Sequence, residues 1–257
     1  MGRKRITVTL LALTLVAAAA LAALGDVVGS FKAPGANTRG LARSSTRLYL
    51  LNFGSPSRIY LLAPVTGSVY DSWAIPFGNN CRGLAYAASG HLWVGNYGND
   101  YVYDCRPATG SIYRSWSAGH DPYGLAPYCT GDGGVGTTAI LTSDYDPAFY
   151  WRHNPANGSI LSSHRIRNAS FMDIAWDHRN KLVWMGTTGN RIYGYTTTGV
   201  VKASFTVPSN FAYGLAYYNE ILWIGCDGNN YVYRVECPGT VTVWPASWGR
   251  VKALYRD

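Results

Sequence analysis

The sequence predicts an all-β fold, a β-propeller built from four-stranded blades, and three observations carry that prediction. The phrase "GLA" recurs at Gly40, Gly83, Gly124 and Gly214, with "DIA" at Asp173 in the same place, at intervals of 43, 41, 49 and 41 residues. Each copy is followed by the same succession of apolar runs and glycine or asparagine turns. Charged residues make up only 14% of the chain, equal to the aromatics, alongside 29 glycines; that balance suits half-buried strands joined by tight turns and argues against disorder. Four short strands in a unit of about 40 to 50 residues is the period of a propeller blade.

The "GLA" phrase opens the first, innermost strand. A second strand carries Leu48-Tyr49, Leu92-Trp93, Val183-Trp184 or Leu222-Trp223, and a third carries Ile59-Tyr60, Tyr101-Val102-Tyr103, Phe149-Tyr150, Ile192-Tyr193 or Tyr231-Val232-Tyr233. Between them lie turns such as "NYGND", "TTGN" and "CDGNN", which supply the positive φ angles of tight hairpins, so these strands are antiparallel neighbours. The fourth strand is the most regular. Gly67, Gly110, Gly158 and Gly199 are each followed six residues later by Trp73, Trp116, His164 or Phe205. A blade cannot cover both of its faces alone, so the repeated aromatics are expected to pack between blades.

The same spacing links Gly25 to Phe31, and a looser copy, "PGTVTVW", runs to Trp244. A strand over 26–34 lying outermost on a blade whose inner strands come from the C-terminal end closes the ring. Five blades are predicted; the alternative is six, with a partial blade near 239–244. The propeller is expected over 26–247, followed by a tail at 248–257.

Ahead of it, Arg3-Lys4-Arg5 is a basic stretch, residues 6–24 carry no charge, and Ala23-Leu24-Gly25 offers small residues for cleavage. Residues 1–25 therefore read as a signal peptide, and the chain as secreted, periplasmic or cell-surface. The alternative is an N-terminal membrane anchor, since about 20 apolar residues span a bilayer. Losing Arg3, Lys4 and Arg5 lowers the net charge from +8 to +5. No lysine and arginine run remains, so nucleic acid is not favoured as a partner, and a membrane only through residues 6–24.

Five cysteines occur without a CxxC pair. In an oxidising compartment disulfides are expected. By strand order Cys105 and Cys129 lie at the same end of neighbouring blades, which makes them the pair to bridge.

Binding sites of propellers usually gather at one end of the channel, where outer-to-inner and second-to-third loops meet. Arg39, Arg82, Tyr123, Met172 and Tyr213 each directly precede an inner strand and point to that mouth. Asn96 and Asp227 open equivalent turns there, with Asp100 in the first of them. Arg39, Arg82, Asn96, Tyr123, Tyr213 and Asp227 are thus the candidate ligand-binding residues, suited to a protein, peptide or glycan. Asp144 and Asp146 in "SDYD" are the candidates for structural calcium, although two carboxylates meet only part of such an ion's need for six or more oxygens. No cofactor is predicted. His120-Asp121 is the one adjacent histidine and carboxylate on this face, a candidate acid/base pair.

The stretches "YGLAYYNEILWIG" and "RGLAYAASGHLWVGNYGNDYVYDCRPATGSIYRSW" resemble the repeats of bacterial NHL, YVTN and streptogramin-lyase-like propellers, and also of glutaminyl cyclotransferase propellers. The resemblance covers nearly all of 26–247. The lyase likeness implies a histidine and glutamate metal-assisted site, yet this chain has Gly95-Asn96 and Gly225-Cys226 where a catalytic glutamate would stand. The expectation is an exported, non-catalytic binding or cell-surface interaction module. The alternatives are a lyase-like or cyclotransferase-like enzyme using His120 and Asp121, and a structural module of a surface assembly.

Overall fold

A computed structural model describes residues 24–146, 149–166 and 170–237. The described residues form five antiparallel four-stranded sheets and one short 3-10 turn, Asp132–Gly134. Blade I comprises β2 (Thr38–Arg43), β3 (Leu48–Asn52), β4 (Arg58–Leu62) and β5 (Val69–Ala74). Blade II comprises β6 (Cys81–Ala87), β7 (His91–Asn96), β8 (Tyr101–Cys105) and β9 (Ile112–Ser117). Blade III holds β10 (Gly124–Tyr128), β11 (Ala139–Ser143), β12 (Phe149–His153) and β13 (Ile160–Arg165). Blade IV holds β14 (Phe171–Asp177), β15 (Leu182–Thr187), β16 (Arg191–Thr196) and β17 (Val201–Thr206). In blade V, β18 (Ala212–Tyr218), β19 (Ile221–Cys226) and β20 (Tyr231–Glu236) are completed by β1 (Val27–Lys32).

The ring closes as the sequence predicts. β1 pairs antiparallel with β20, from Val27 opposite Val235 to Lys32 opposite Tyr231. The chain thus stitches its first strand onto its last blade, leaving five blades. The expected partial blade near 239–244, the tail 248–257 and most of the leader 1–25 lie outside the described residues.

Five apolar clusters fill the five gaps between blades. Leu51, Leu84 and Leu92 lie between blades I and II, Trp93 and Trp116 between II and III, and Phe171 and Met185 between III and IV. Trp184 and Leu215 lie between IV and V, and Phe31 and Trp223 between V and I. The six-residue glycine-to-aromatic spacing gains a physical reason. The aromatic side chain on the outer strand of one blade packs directly against the turn glycine of the next. A Cβ on Gly67 would come within 2.2 Å of Phe31, one on Gly110 within 2.3 Å of Trp73, one on Gly158 within 2.5 Å of Trp116, and one on Gly25 within 2.7 Å of Phe205. These glycines have φ of 71°, 72°, 74° and 94°, so they answer a turn and a packing requirement together.

The cysteine pairing is corrected. All five thiols are free and buried. Cys105 packs with Cys81 between blades I and II, whereas Cys129 packs between blades III and IV. Strand order places both at one end of the ring, but the two side chains leave their sheets toward different gaps.

Two features set up the site. On the axis, the carboxylate of Asp173, fully buried, accepts the backbone N–H of Ile174 (2.9 Å), of Leu125 in blade III (3.2 Å) and of Leu215 in blade V (2.7 Å). The end of the channel away from the mouth is covered by the loop between β10 and β11, the source of the longest repeat interval. There Gly134 O accepts from Ala88 N (3.3 Å), Asp132 accepts from Asn219 N (2.9 Å), and Arg179 bridges Asp132 (3.2 Å) and Glu220 (2.7 Å).

Candidate functional site

The open end is an arginine and aromatic basin. Inner strands begin there, and the residue before the repeated glycine, or before Asp173 in blade IV, lies at or next to the first residue of each; in blades I, II, IV and V the register slips at that point. Arg39, preceding Gly40, lays its guanidinium 4.1 Å from the ring centroid of Tyr213 and 5.5 Å from that of Phe53, and pairs with Asp227 at 3.0 Å. Arg82, preceding Gly83, sits 4.6 Å from the centroid of Tyr123 and 4.7 Å from that of Tyr97, with Phe53 and Tyr213 at 5.8 and 5.9 Å. Tyr97 packs against Tyr123 at 5.0 Å, and Tyr123 against Tyr145 at 5.7 Å. Ring faces carry negative potential, so each cation is held by electrostatics at little cost in desolvation.

The two arginines differ in one respect. Arg39 has its carboxylate, while no carboxylate among the described residues lies within ion-pair distance of Arg82. The Nε of both arginines is buried without a hydrogen-bond partner among the described residues, so the ion pair alone separates them. The charge of Arg82 nonetheless reaches Asp121, whose carboxyl is raised by burial and by its hydrogen bond to Asp100, with Arg82 opposing. Asp144 is pushed up to about 6 by burial, against the pull of the Tyr145 N–H, which it accepts at 2.6 Å. One free guanidinium therefore faces carboxyls that hold protons more readily than usual.

Of the sequence-predicted residues, Arg39, Arg82, Tyr123, Tyr213 and Asp227 meet at this basin. Asn96 is buried and already engaged: it donates to Phe77 O (3.0 Å) and accepts from Gly98 N (2.9 Å), fixing the turn that carries Tyr97. Met172 is buried beside the axial Asp173. Asp144 faces the basin, whereas Asp146 is exposed beside it. Among the described residues, no three metal-ligating side chains cluster.

His120 and Asp121 part company. Asp121 turns to Asp100, while His120 enters the gap between blades II and III, stacked 3.6 Å over Trp151. There its Nε2 lies 2.8 Å from the Thr142 hydroxyl, which is 2.9 Å from His153 Nε2. Burial and the neighbouring His153 push His120 down to about 3, so it is neutral at ordinary pH. An imidazole spent in this way is a packing group, and the proton-active groups at the mouth are Asp121 and Asp144.

Phe53, Tyr97 and Tyr145 were not singled out by the sequence. They sit in second-to-third strand turns, and the available signal was an aromatic residue immediately after Asn52, Asn96 and Asp144.

No protein-family model matches the chain, and no curated protein matches it in sequence. Solved structures do match. A glutaminyl cyclase from Myxococcus xanthus superposes with a TM-score of 0.67 at 12% identity, covering 82% of this chain and 95% of that one. A virginiamycin B lyase from Staphylococcus aureus superposes with a TM-score of 0.48 at 13% identity, covering 77% of this chain and 66% of that one. The first likeness agrees with the propeller fold, and at such identity fold does not carry activity.

Proposed function

We propose that the chain is an exported β-propeller that binds, without chemistry, a ligand bearing a carboxylate, such as a peptide C-terminus or an acidic sugar. The observation that carries this reading is Arg82: a guanidinium caged by Tyr97, Tyr123, Phe53 and Tyr213, with no carboxylate among the described residues in ion-pair distance. A carboxylate arriving there completes a charge-assisted pair, and the rings receive the apolar or sugar face of its body. Calorimetry with peptides carrying free or amidated C-termini, and with acidic or neutral oligosaccharides, tests it. R82Q is expected to weaken the binding of carboxylate ligands by about tenfold or more, the loss of one hydrogen bond to a charged group. Equal affinity of R82Q and the natural chain overturns the reading.

A second reading rests on the elevated carboxyls of Asp121 and Asp144. An acid near its midpoint is what general acid/base cyclisation requires, and the structural neighbour named above is a glutaminyl cyclase. Incubation with peptides that begin in glutamine, read by loss of ammonia, separates the two. Turnover that D144N abolishes favours the enzyme.

A further inference from the structure

Most of the exposed large apolar residues among those described are not scattered; Tyr101, Phe211 and Tyr231 lie at the mouth, and the rest at the other end. Five consecutive pairs, Val27-Val28, Val69-Tyr70, Ile112-Tyr113, Ile160-Leu161 and Val200-Val201, are each 40–57% exposed, one pair at the start of every outer strand. Ordinary strand geometry sends neighbours to opposite faces. Here a β-bulge intervenes in every blade: the register slips between Val27 and Gly29, and opposite Leu61/Leu62, Asp104/Cys105, Arg152/His153 and Gly194/Tyr195. The extra residue is Val28, Tyr70, Tyr113, Leu161 or Lys202, so four of the five bulges add an apolar side chain to the perimeter. Bulges protect an edge from pairing, but that purpose is served equally well by charged residues.

Outer strands all start at the end opposite the mouth, because β2, β6, β10, β14 and β18 start at the mouth and the order alternates. The five pairs thus ring one rim of the disc. On the same face, Val135 at the tip of the loop that covers the channel is 56% exposed, and Val65 is 60% exposed. Two rim tyrosines lie under cations, Tyr70 under Arg47 at 4.0 Å and Tyr113 under Arg106 at 5.1 Å. Such aromatic and cation pairs are at home at the level of lipid headgroups. The chain enters this rim from the uncharged stretch 6–24: Leu24 packs on the cluster between blades IV and V, and Gly25 N donates to Glu236 O at 3.1 Å.

We propose that this rim is a membrane-docking surface, on which the propeller stands against the bilayer that residues 6–24 enter, with its mouth turned to water. This takes those residues as an anchor. A protein partner approaching from one side meets one or two of the pairs, since successive pairs are a whole blade apart. Only an extended surface as wide as the disc meets all five together with Val135.

All five native cysteines are buried, so a thiol introduced at the surface takes a label by itself. The full chain is incorporated into vesicles of phosphatidylcholine and phosphatidylglycerol, with an environment-sensitive fluorophore on L161C at the rim or on F211C at the mouth. Quenching by spin-labelled lipid is expected to be several-fold stronger at position 161 than at 211. The surface substitutions V69S/Y70S with I112S/Y113S are expected to return the 161 label toward the mouth value while the propeller keeps its thermal unfolding transition. Equal quenching at both positions overturns the proposal, and so does a chain that fails to float with the vesicles. A rim label already shielded from aqueous quencher in lipid-free solution also overturns it, and assigns the rim to a second copy of the chain.

Discussion

Replacing Asp173 by alanine tests how the ring is held at its axis. The carboxylate is fully buried and accepts N–H groups from Ile174, Leu125 and Leu215, at 2.9, 3.2 and 2.7 Å, and from Leu41 in blade I. Its four donors come from the inner strands of four of the five blades, so one side chain joins parts of the molecule that otherwise meet only through neighbouring packing. Alanine leaves these N–H groups without an acceptor. Each orphaned buried donor costs about 1–3 kcal/mol. Relaxation of the inner strands around the vacated side chain recovers part of that cost. A net loss of about 3 kcal/mol follows, and a fall in Tm of roughly 6–12 °C for a domain of this size.

The pH dependence gives a second, independent sign. Burial raises the Asp173 carboxyl well above its ordinary value of 3.8, with the four N–H groups opposing. A carboxyl raised on folding binds its proton more tightly in the native state, so its contribution to stability is greatest below the unfolded value and is lost as pH rises toward the native one. Urea unfolding followed by tryptophan fluorescence from pH 4 upward is expected to show a steeper decline in the natural chain than in D173A, which keeps only the raised carboxyls of Asp121 and Asp144. D173N should fall between them at neutral pH, since its amide keeps one acceptor oxygen but turns an N–H toward one of the donors. A D173A variant that melts within about 2 °C of the natural chain refutes the axial-staple reasoning, because it leaves no room for even one orphaned N–H.

Two further outcomes follow from buried or elevated groups. The five thiols should ignore a water-soluble disulfide reagent in the native protein and all react once it is unfolded, since each is buried and burial pushes Cys105 and Cys226 up to about 12 and Cys129 to about 11; a thiol count below five in denaturant without reductant restores a disulfide. Asp144, at about 6, should show a carbon-13 carboxyl titration near that pH, and protonating it removes a negative charge from the basin. Affinity for a carboxylate ligand is therefore expected to rise as pH falls from 7 toward 6; affinity that falls over this range contradicts the placement of the anion at Arg82.

How much of this was legible in the sequence depends on which interactions repeat. The fold was readable because each inter-blade gap asks for the same residue types at the same register. Phe31 on Gly67, Trp73 on Gly110, Trp116 on Gly158 and Phe205 on Gly25 are one contact made four times, and a contact made four times leaves a period. The positions of Arg39, Arg82, Tyr123 and Tyr213 were readable for the same reason, since each directly precedes the repeated glycine at the mouth end of an inner strand. What those residues do there was not readable: Arg39 is paired and Arg82 is not because Asp227 is within reach of the first alone. The cysteine pairing failed because strand order specifies an end of the sheet and leaves open which gap the side chain enters. The one lapse in the repeated glycine, aspartate at Asp173, was visible in the sequence, but its meaning needed the ring, because its donors lie 48 residues before it in Leu125 and 42 after it in Leu215.

The two ends of the disc then differ in a way that bears on function. At the mouth the repeated positions hold Arg39, Arg82, Tyr123, Met172 and Tyr213, so the blades have diverged in chemistry where they converge in space. At the opposite rim all five blades present exposed apolar pairs, and in four of them a bulge supplies one member of the pair. A surface that recognises one small ligand needs unlike groups aimed at one point, whereas a surface that meets something broad and featureless needs like groups at equal spacing. The five-fold repeat supplies the second without further design, and the loops supply the first by departing from it. The R82Q and L161C measurements address these two ends separately, so the failure of one leaves the other standing.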